Sequence, residues 1–157
     1  LVFCHNGFID EDISHDEQYT AIGETDSEKL FYSILTDLRS DHIVEAIRRN
    51  FKRYKKLTGT NIIMSNKEKS VVAIRKNHFP TYYQMHVGKK LGGMIVSSER
   101  LEMNDVLWEP LEAGDVVRID HATREIEVHK ETISLFEKFK SFVQREEEYT
   151  PILVPQS

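Results

Sequence analysis

His5, Asn6 and Gly7 stand in a row near the start of the chain, and Thr25, Asp26, Ser27 and Glu28 stand in a second row further on. At Asn6-Gly7 a side-chain amide and a backbone N–H can point the same way at a strand end, and two such donors make a hole for a developing oxyanion. Loss of one preoriented donor of that kind costs about a hundredfold to a thousandfold in rate. Asn-Gly is equally an ordinary turn, and for the dipeptide alone that is the better reading. Asp26 lies beside a helix start, where free N–H groups and the helix dipole favour a charged carboxylate that could hold a substrate ammonium group. Its plainer role is service to the helix itself. Glu28 reads as a cap residue and nothing more. The polar connection from Ile9 to Ile22 allows the two rows to become walls of one small-molecule site.

Other reactive residue types lead less far. Cys4-His5 suggests a thiolate and a base, but neighbours on a strand point to opposite faces and cannot readily form a hydrogen-bonded dyad. A free cysteine behaves as a small hydrophobe, so Cys4 is expected in the core. His15, His42, His78, His86, His121 and His129 lack ligand spacing, and neither a metal site nor a cofactor is expected. Six basic residues lie between Arg48 and Lys56, interleaved with Phe51 and Tyr54. Such a run could bind RNA or phosphate. Because both aromatics fall on the inner face of a helix, the basic residues are read instead as its solvated face.

The elements that must position these residues follow from pattern. Leu1–Cys4 is a strand expected to stop at Asn6-Gly7, and residues 9–22 form a surface loop. Thr25-x-x-Glu28 matches a capping box and opens a helix with Leu30, Phe31, Ile34, Leu35 and Leu38 on one face. A second helix is expected from Asp41 to about Leu57, stopped by Thr58-Gly59. Ile62–Met64 and Val71–Ile74 read as a hairpin, and their unbroken apolar runs mark strands covered on both faces, one by helices and one by another sheet. Further strands are expected at Tyr82–Val87 and Gly93–Ser97. Trp108–Asp115 reads as a turn, Val116–Ile119 and Ile126–His129 as a hairpin, and Glu131–Arg145 as a last helix. One domain spans residues 1–150, followed by a loosely held tail at 151–157.

Bulk properties bound the class. At 157 residues, 39% hydrophobic and 30% charged, the chain has the size and balance of one globular domain. No apolar run approaches the roughly 18 residues of a membrane helix. The net charge of −5 argues against a general phosphate-backbone binder, so neither nucleic acid nor membrane is an expected partner. A single cysteine fits a reducing compartment, and a cytoplasmic location is expected. The chain opens at Leu1, without Met and already inside an apolar strand, which suggests a piece of a longer chain.

His5-Asn6-Gly7 after a strand, followed by Glu24-Thr25-Asp26-Ser27-Glu28 entering a helix, resembles the glutamine amidotransferase domain of class II, among the N-terminal-nucleophile hydrolases. Ile62-Ile63-Met64-Ser65, Ser97-Ser98-Glu99-Arg100-Leu101, and Trp108-Glu109-Pro110-Leu111 with Gly114-Asp115 resemble later landmarks of its compact, stand-alone members, in the same order. The resemblance implies an α+β fold, a four-layer αββα sandwich of two antiparallel sheets flanked by helices, here incomplete at the N-terminus. It implies Asn6 and Gly7 as oxyanion donors and Asp26 as the binder of the α-amino group of glutamine or a γ-glutamyl compound. The reaction implied is release of ammonia and glutamate through a cysteine thioester. The family's nucleophile is a cysteine at the mature amino terminus, with an arginine downstream gripping the substrate carboxylate. Cys4 directly precedes the oxyanion motif and its α-nitrogen is in a peptide bond, so it does not match. A missing N-terminal segment is therefore expected, and the alternative is a catalytically silent sandwich domain that binds a partner or regulates an enzyme.

Overall fold

Val71, Val72, Ala73 and Ile74 are all buried, because the strand that carries them is covered on both faces. Strand alternation sends Val71 and Ala73 to one side and Val72 and Ile74 to the other. The computed structural model describes residues 1–40, 42–76 and 78–131. Within these the elements are β1 (Val2–Ile9), α1 (Asp26–Leu38), α2 (Ile43–Arg53), β2 (Leu57–Ser65), β3 (Lys69–Lys76), β4 (Met85–Lys90), β5 (Gly93–Ser97), β6 (Leu107–Leu111), β7 (Val116–Asp120) and β8 (Ile126–His129). One antiparallel sheet has the order β1-β2-β3-β7-β8, and a second has the order β5-β4-β6.

The described residues thus form three layers: two helices, a five-stranded sheet and a three-stranded sheet. Val71, Ala73, Ile62, Met64 and Val116 pack against Leu30, Ile34, Val44, Ile47 and Phe51 of the helices. Val72, Ile74 and Val117 pack against Met85, Val87 and Leu111 of the second sheet. Each buried Val, Leu, Ile, Phe or Met among these contributes about 1.5–3 kcal/mol relative to its exposed state. The α+β class, the two antiparallel sheets and the double cover of β3 agree with the sequence reading. The run Ile62–Met64 of β2 is instead covered by the helices on one face and leaves Ile63 exposed on the other, because the second sheet packs on β3 and β7. The expected last helix from Glu131 lies almost wholly outside the described residues.

Several boundaries differ. β1 does not stop at Asn6-Gly7 but pairs through them with Asn61 and Thr60 of β2, and ends at Ile9. The ladder with β2 supplies the order that the turn dipeptide was expected to break. Residue 41 is outside the described residues, and α2 ends at Arg53, since Tyr54 is already extended at φ −89° and ψ 131°. Thr58-Gly59 is strand, where the absent side chain of Gly59 leaves room for the Tyr83 ring, 2.5 Å from where a Cβ would stand. Trp108–Leu111 belongs to β6, paired with β4, and the turn is confined to Glu112–Asp115.

The α1–α2 contact carries a buried polar network. Arg53 donates to both carboxylate oxygens of Asp37, at 3.0 and 2.9 Å, and Asn50 donates to Asp37 at 2.8 Å. Arg53 also reaches Ser33 Oγ, and Arg48 donates to the carbonyls of His129 and Lys130. These two arginines are therefore structural ties, and the reading of the basic run as a purely solvated face is corrected for them.

Candidate functional site

Along β1, Phe3, His5, Gly7 and Ile9 alternate with the exposed Val2, Cys4, Asn6 and Phe8. The first set faces the helices, where Phe3 meets Phe31 at 5.2 Å between ring centroids. The second set lies on the face turned toward the second sheet. That sheet packs on β3 and β7 and stops short of the edge strand β1, so Cys4 is exposed and the expectation of a core cysteine is corrected.

The loop and helix start bring Asp26 to the edge of β1. Thr25 caps α1, with its Oγ1 accepting from the Glu28 amide at 3.3 Å. Glu28 does not close the expected box; its carboxylate accepts from the amides of Ile22 at 2.8 Å and Gly23 at 2.7 Å. Those two backbone hydrogen bonds hold its carboxyl below the usual range. Glu28 therefore shapes the loop that delivers Asp26.

Asp26 is held on both oxygens. Oδ2 accepts from the Ile9 amide at 2.9 Å, and Oδ1 accepts from the Ser27 amide at 2.8 Å and the Ser27 hydroxyl at 3.4 Å. A carboxylate has about four acceptor sites, so one remains for a cation. His5 Nδ1 lies 2.9 Å from Ser27 Oγ. Burial lowers the His5 pKa from its ordinary value, with the nearby Asp26 charge opposing. Asp26, Ser27, His5 and Ile9 are thus one hydrogen-bonded group on the helix side of β1.

Asn6 and Gly7 occupy the same strand three and two residues before Ile9, with Asn6 exposed on the opposite face. The structure does not bring the Asn6 side chain into contact with Asp26; the strand itself links them. Three buried side-chain atoms without a hydrogen-bond partner flank the pair: His5 Nε2, Thr60 Oγ1 and Asn61 Oδ1. Thr60 is the cross-strand partner of Gly7 and Asn61 that of Asn6. By strand alternation His5 Nε2 and Thr60 Oγ1 lie on the helix face of the sheet and Asn61 Oδ1 on the opposite face. A cleft of about 760 Å³ opens between the sheets, lined by Ile63, Val72, Met94 and Ile119 among others, but none of Asn6, Gly7 and Asp26 lines it. Among the described residues no three of His, Cys, Asp and Glu are grouped so as to hold a metal ion.

The model of the class II glutamine amidotransferases matches residues 1–87, more than half of the chain. The chain belongs to the class II glutamine amidotransferases. The matched span contains Asn6, Gly7, Asp26 and the group around them. Solved structures agree on the fold of this chain. A predicted glutamine amidotransferase from Pseudomonas aeruginosa is similar with a TM-score of 0.61 and 17% identity, over 82% of this chain and 59% of that one. Glutamine phosphoribosylpyrophosphate amidotransferase from B. subtilis is similar with a TM-score of 0.59 and 16% identity, over 84% of this chain and 29% of that one. A glutamine aminotransferase class-II domain protein from Silicibacter pomeroyi is similar with a TM-score of 0.55 and 24% identity, over 82% of this chain and 66% of that one. The chain thus spans 59%, 29% and 66% of the lengths of these three. No curated protein matches the sequence at a significant level. No described helix is long and apolar enough to cross a membrane.

His5 and Ser27 were not among the residues singled out from sequence for the site. The available signal was the period of two along a strand, which places His5 on the same face as Gly7.

Proposed function

We propose that this amidotransferase hydrolyses the side-chain amide of glutamine, or of a γ-glutamyl compound, to ammonia and glutamate through a cysteine thioester. Asn6, by its side-chain amide, and Gly7, by its backbone N–H, are the proposed donors to the oxyanion of the tetrahedral intermediate. Asp26 is the proposed acceptor of the substrate α-ammonium group. The observation that carries this reading is the bond from the Ile9 amide to Asp26 Oδ2, which fixes the helix start against the strand bearing Asn6-Gly7. Family membership gives that juxtaposition its chemical sense.

Cys4 is not a candidate for the nucleophile. It sits within β1, is paired with Ile63, and its α-nitrogen is in a peptide bond and cannot serve as an amine base. The proposed thiol lies outside these 157 residues. Attack by that thiolate on the amide carbon would place negative charge on the carbonyl oxygen, where Asn6 and Gly7 would meet it. Collapse releases ammonia and leaves the thioester, and water then frees glutamate.

The test is glutamate and ammonia release from glutamine by the full-length protein, beside the same protein with its proposed nucleophilic cysteine changed to alanine. Release that depends on the cysteine is expected. A folded wild-type protein that turns over neither glutamine nor γ-glutamyl peptides removes the proposal and leaves the silent-domain alternative.

A further inference from the structure

We infer that His5 is a positioning residue for the ammonium site: bonded to Ser27, it locks the first turn of α1 against β1 and so sets where Asp26 stands. The inference rests on the proposed glutamine pocket and deepens it.

Asp26 is held by two arms. One is the Ile9 amide, a backbone group that only a proline at this position would remove. The other runs from His5 Nδ1 to Ser27 Oγ at 2.9 Å, and from the Ser27 hydroxyl and amide to Asp26 Oδ1 at 3.4 and 2.8 Å. Oδ2 is fixed to the strand and Oδ1 to the helix turn, so the carboxylate plane is defined by both. His5 belongs to the strand yet bonds the helix, which makes it the side-chain counterpart of the Ile9 link. A carboxylate is the strongest acceptor in the chain, so the Ser27 proton is directed to Asp26 and His5 presents Nδ1–H to the Ser27 oxygen. Such a chain of bonds reinforces itself and keeps its members in one arrangement.

The far side of the ring supports the same role. His5 Nε2 is buried without a partner, 2.8 Å from where a Cβ on Gly7 would stand. The imidazole therefore lies over the backbone of the proposed oxyanion donor while its other nitrogen holds the turn that bears the ammonium anchor. Phe3 lies beside it, 6.5 Å between ring centroids. A neutral ring suits this position, and burial favours that form.

The experiment is steady-state kinetics on the full-length protein with His5→Ala, His5→Asn, Ser27→Ala, the double variant His5→Ala with Ser27→Ala, and Asp26→Ala as the reference. Two substrates are used: glutamine, and its deamino analogue glutaramate, which has no ammonium group to place. His5→Ala and Ser27→Ala are each expected to raise the glutamine KM about tenfold with kcat nearly unchanged, the scale of one weakened hydrogen bond to a charged group. The double variant is expected to match the single ones, since both break the same arm. Asn puts an amide N–H near the place of Nδ1, and His5→Asn is expected to restore most of the affinity. Glutaramate, which has no ammonium group to place, is expected to lose much less turnover than glutamine in these His5 and Ser27 variants.

An equal loss on glutaramate, a fall in kcat without change in KM, or additive effects in the double variant would each overturn the inference. If His5→Ala does not fold, Ser27→Ala and His5→Asn carry the comparison. A glutamine KM unmoved by Asp26→Ala removes the pocket reading itself, and the inference falls with it. A KM raised by Asp26→Ala but not by Ser27→Ala or His5→Ala removes this inference alone.

Discussion

The amide of Ile9 donates to Asp26 Oδ2 at 2.9 Å, across 17 residues of sequence. Together with the His5–Ser27 bond it joins the strand of Asn6-Gly7 to the N-terminus of α1 and sets the geometry of the proposed pocket. Asp26 is also held by Ser27, so a substrate ammonium would meet a carboxylate already oriented, with little to reorganise on binding.

Asp26→Ala is expected to raise the glutamine KM about 10- to 100-fold, the range for a lost hydrogen bond between charged groups, with a smaller change in kcat. Steady-state kinetics on the full-length protein reads it. An unchanged KM would count against the ammonium role.

Asn6→Ala is expected to act on the other parameter. If its amide meets charge that develops only in the transition state, kcat falls about 100- to 1000-fold while KM moves little. Asn6 is exposed, so the protein is expected to keep its unfolding midpoint. Near wild-type turnover would remove Asn6 from the oxyanion site.

Much of the architecture was legible because it depends on local pattern. The apolar run Val71–Ile74 announced a strand covered on both faces, and Thr25 announced the start of α1. What was not legible depends on partners distant in sequence. Asn6-Gly7 carries a turn signal, yet its pairing with Thr60 and Asn61 keeps it in β1. Cys4 carries a core signal, but its exposure is decided by how far the second sheet extends. The Glu28 carboxylate fits a capping box, and the loop returns Ile22 and Gly23 to it instead. The His5–Ser27 bond joins residues 22 apart that no local rule connects.

Gly7→Ala is expected to lower stability by about 1–3 kcal/mol, the range for forcing an extra carbon into a packed place. A Cβ at Gly7 would collide with the carbonyl oxygen of Gly59, so the β1–β2 ladder must open to admit it. Urea unfolding with its midpoint and slope is the measurement. A midpoint equal to that of the wild type would show that the two backbones can part without cost.

Asp37→Ala is expected to be the most damaging substitution considered. It leaves Arg53 and Asn50 without their shared acceptor in the α1–α2 contact, where Asp37 is 7% exposed. Breaking a buried pair on one side costs about 3–5 kcal/mol. Arg53 is partly open to water and can recover some hydration, which places the effect at the lower end. Thermal unfolding would read it, and a change below about 1 kcal/mol, the scale of an exposed ion pair, would mean that the network is solvated.

The pH dependence of stability offers a check on His5 that needs no substrate. Burial lowers the His5 pKa below its ordinary 6.5, with the Asp26 charge opposing, so the unfolded chain binds this proton more readily than the folded one. Stability from a neutral His5 is then fully present above about pH 6.5 and is lost as pH falls through the folded value, below which it no longer changes. His5→Asn removes the titrating ring, so its stability curve is expected to be flatter than that of the wild type just below that pH. His86 is shifted in the same direction by its own burial and by Arg100 and Lys76, but both proteins retain it and its part cancels in the difference. Urea midpoints measured side by side as pH falls from about 7.5 to about 5 give that difference directly. Parallel curves would mean that the His5 ring is as well hydrated in the folded protein as in the unfolded chain.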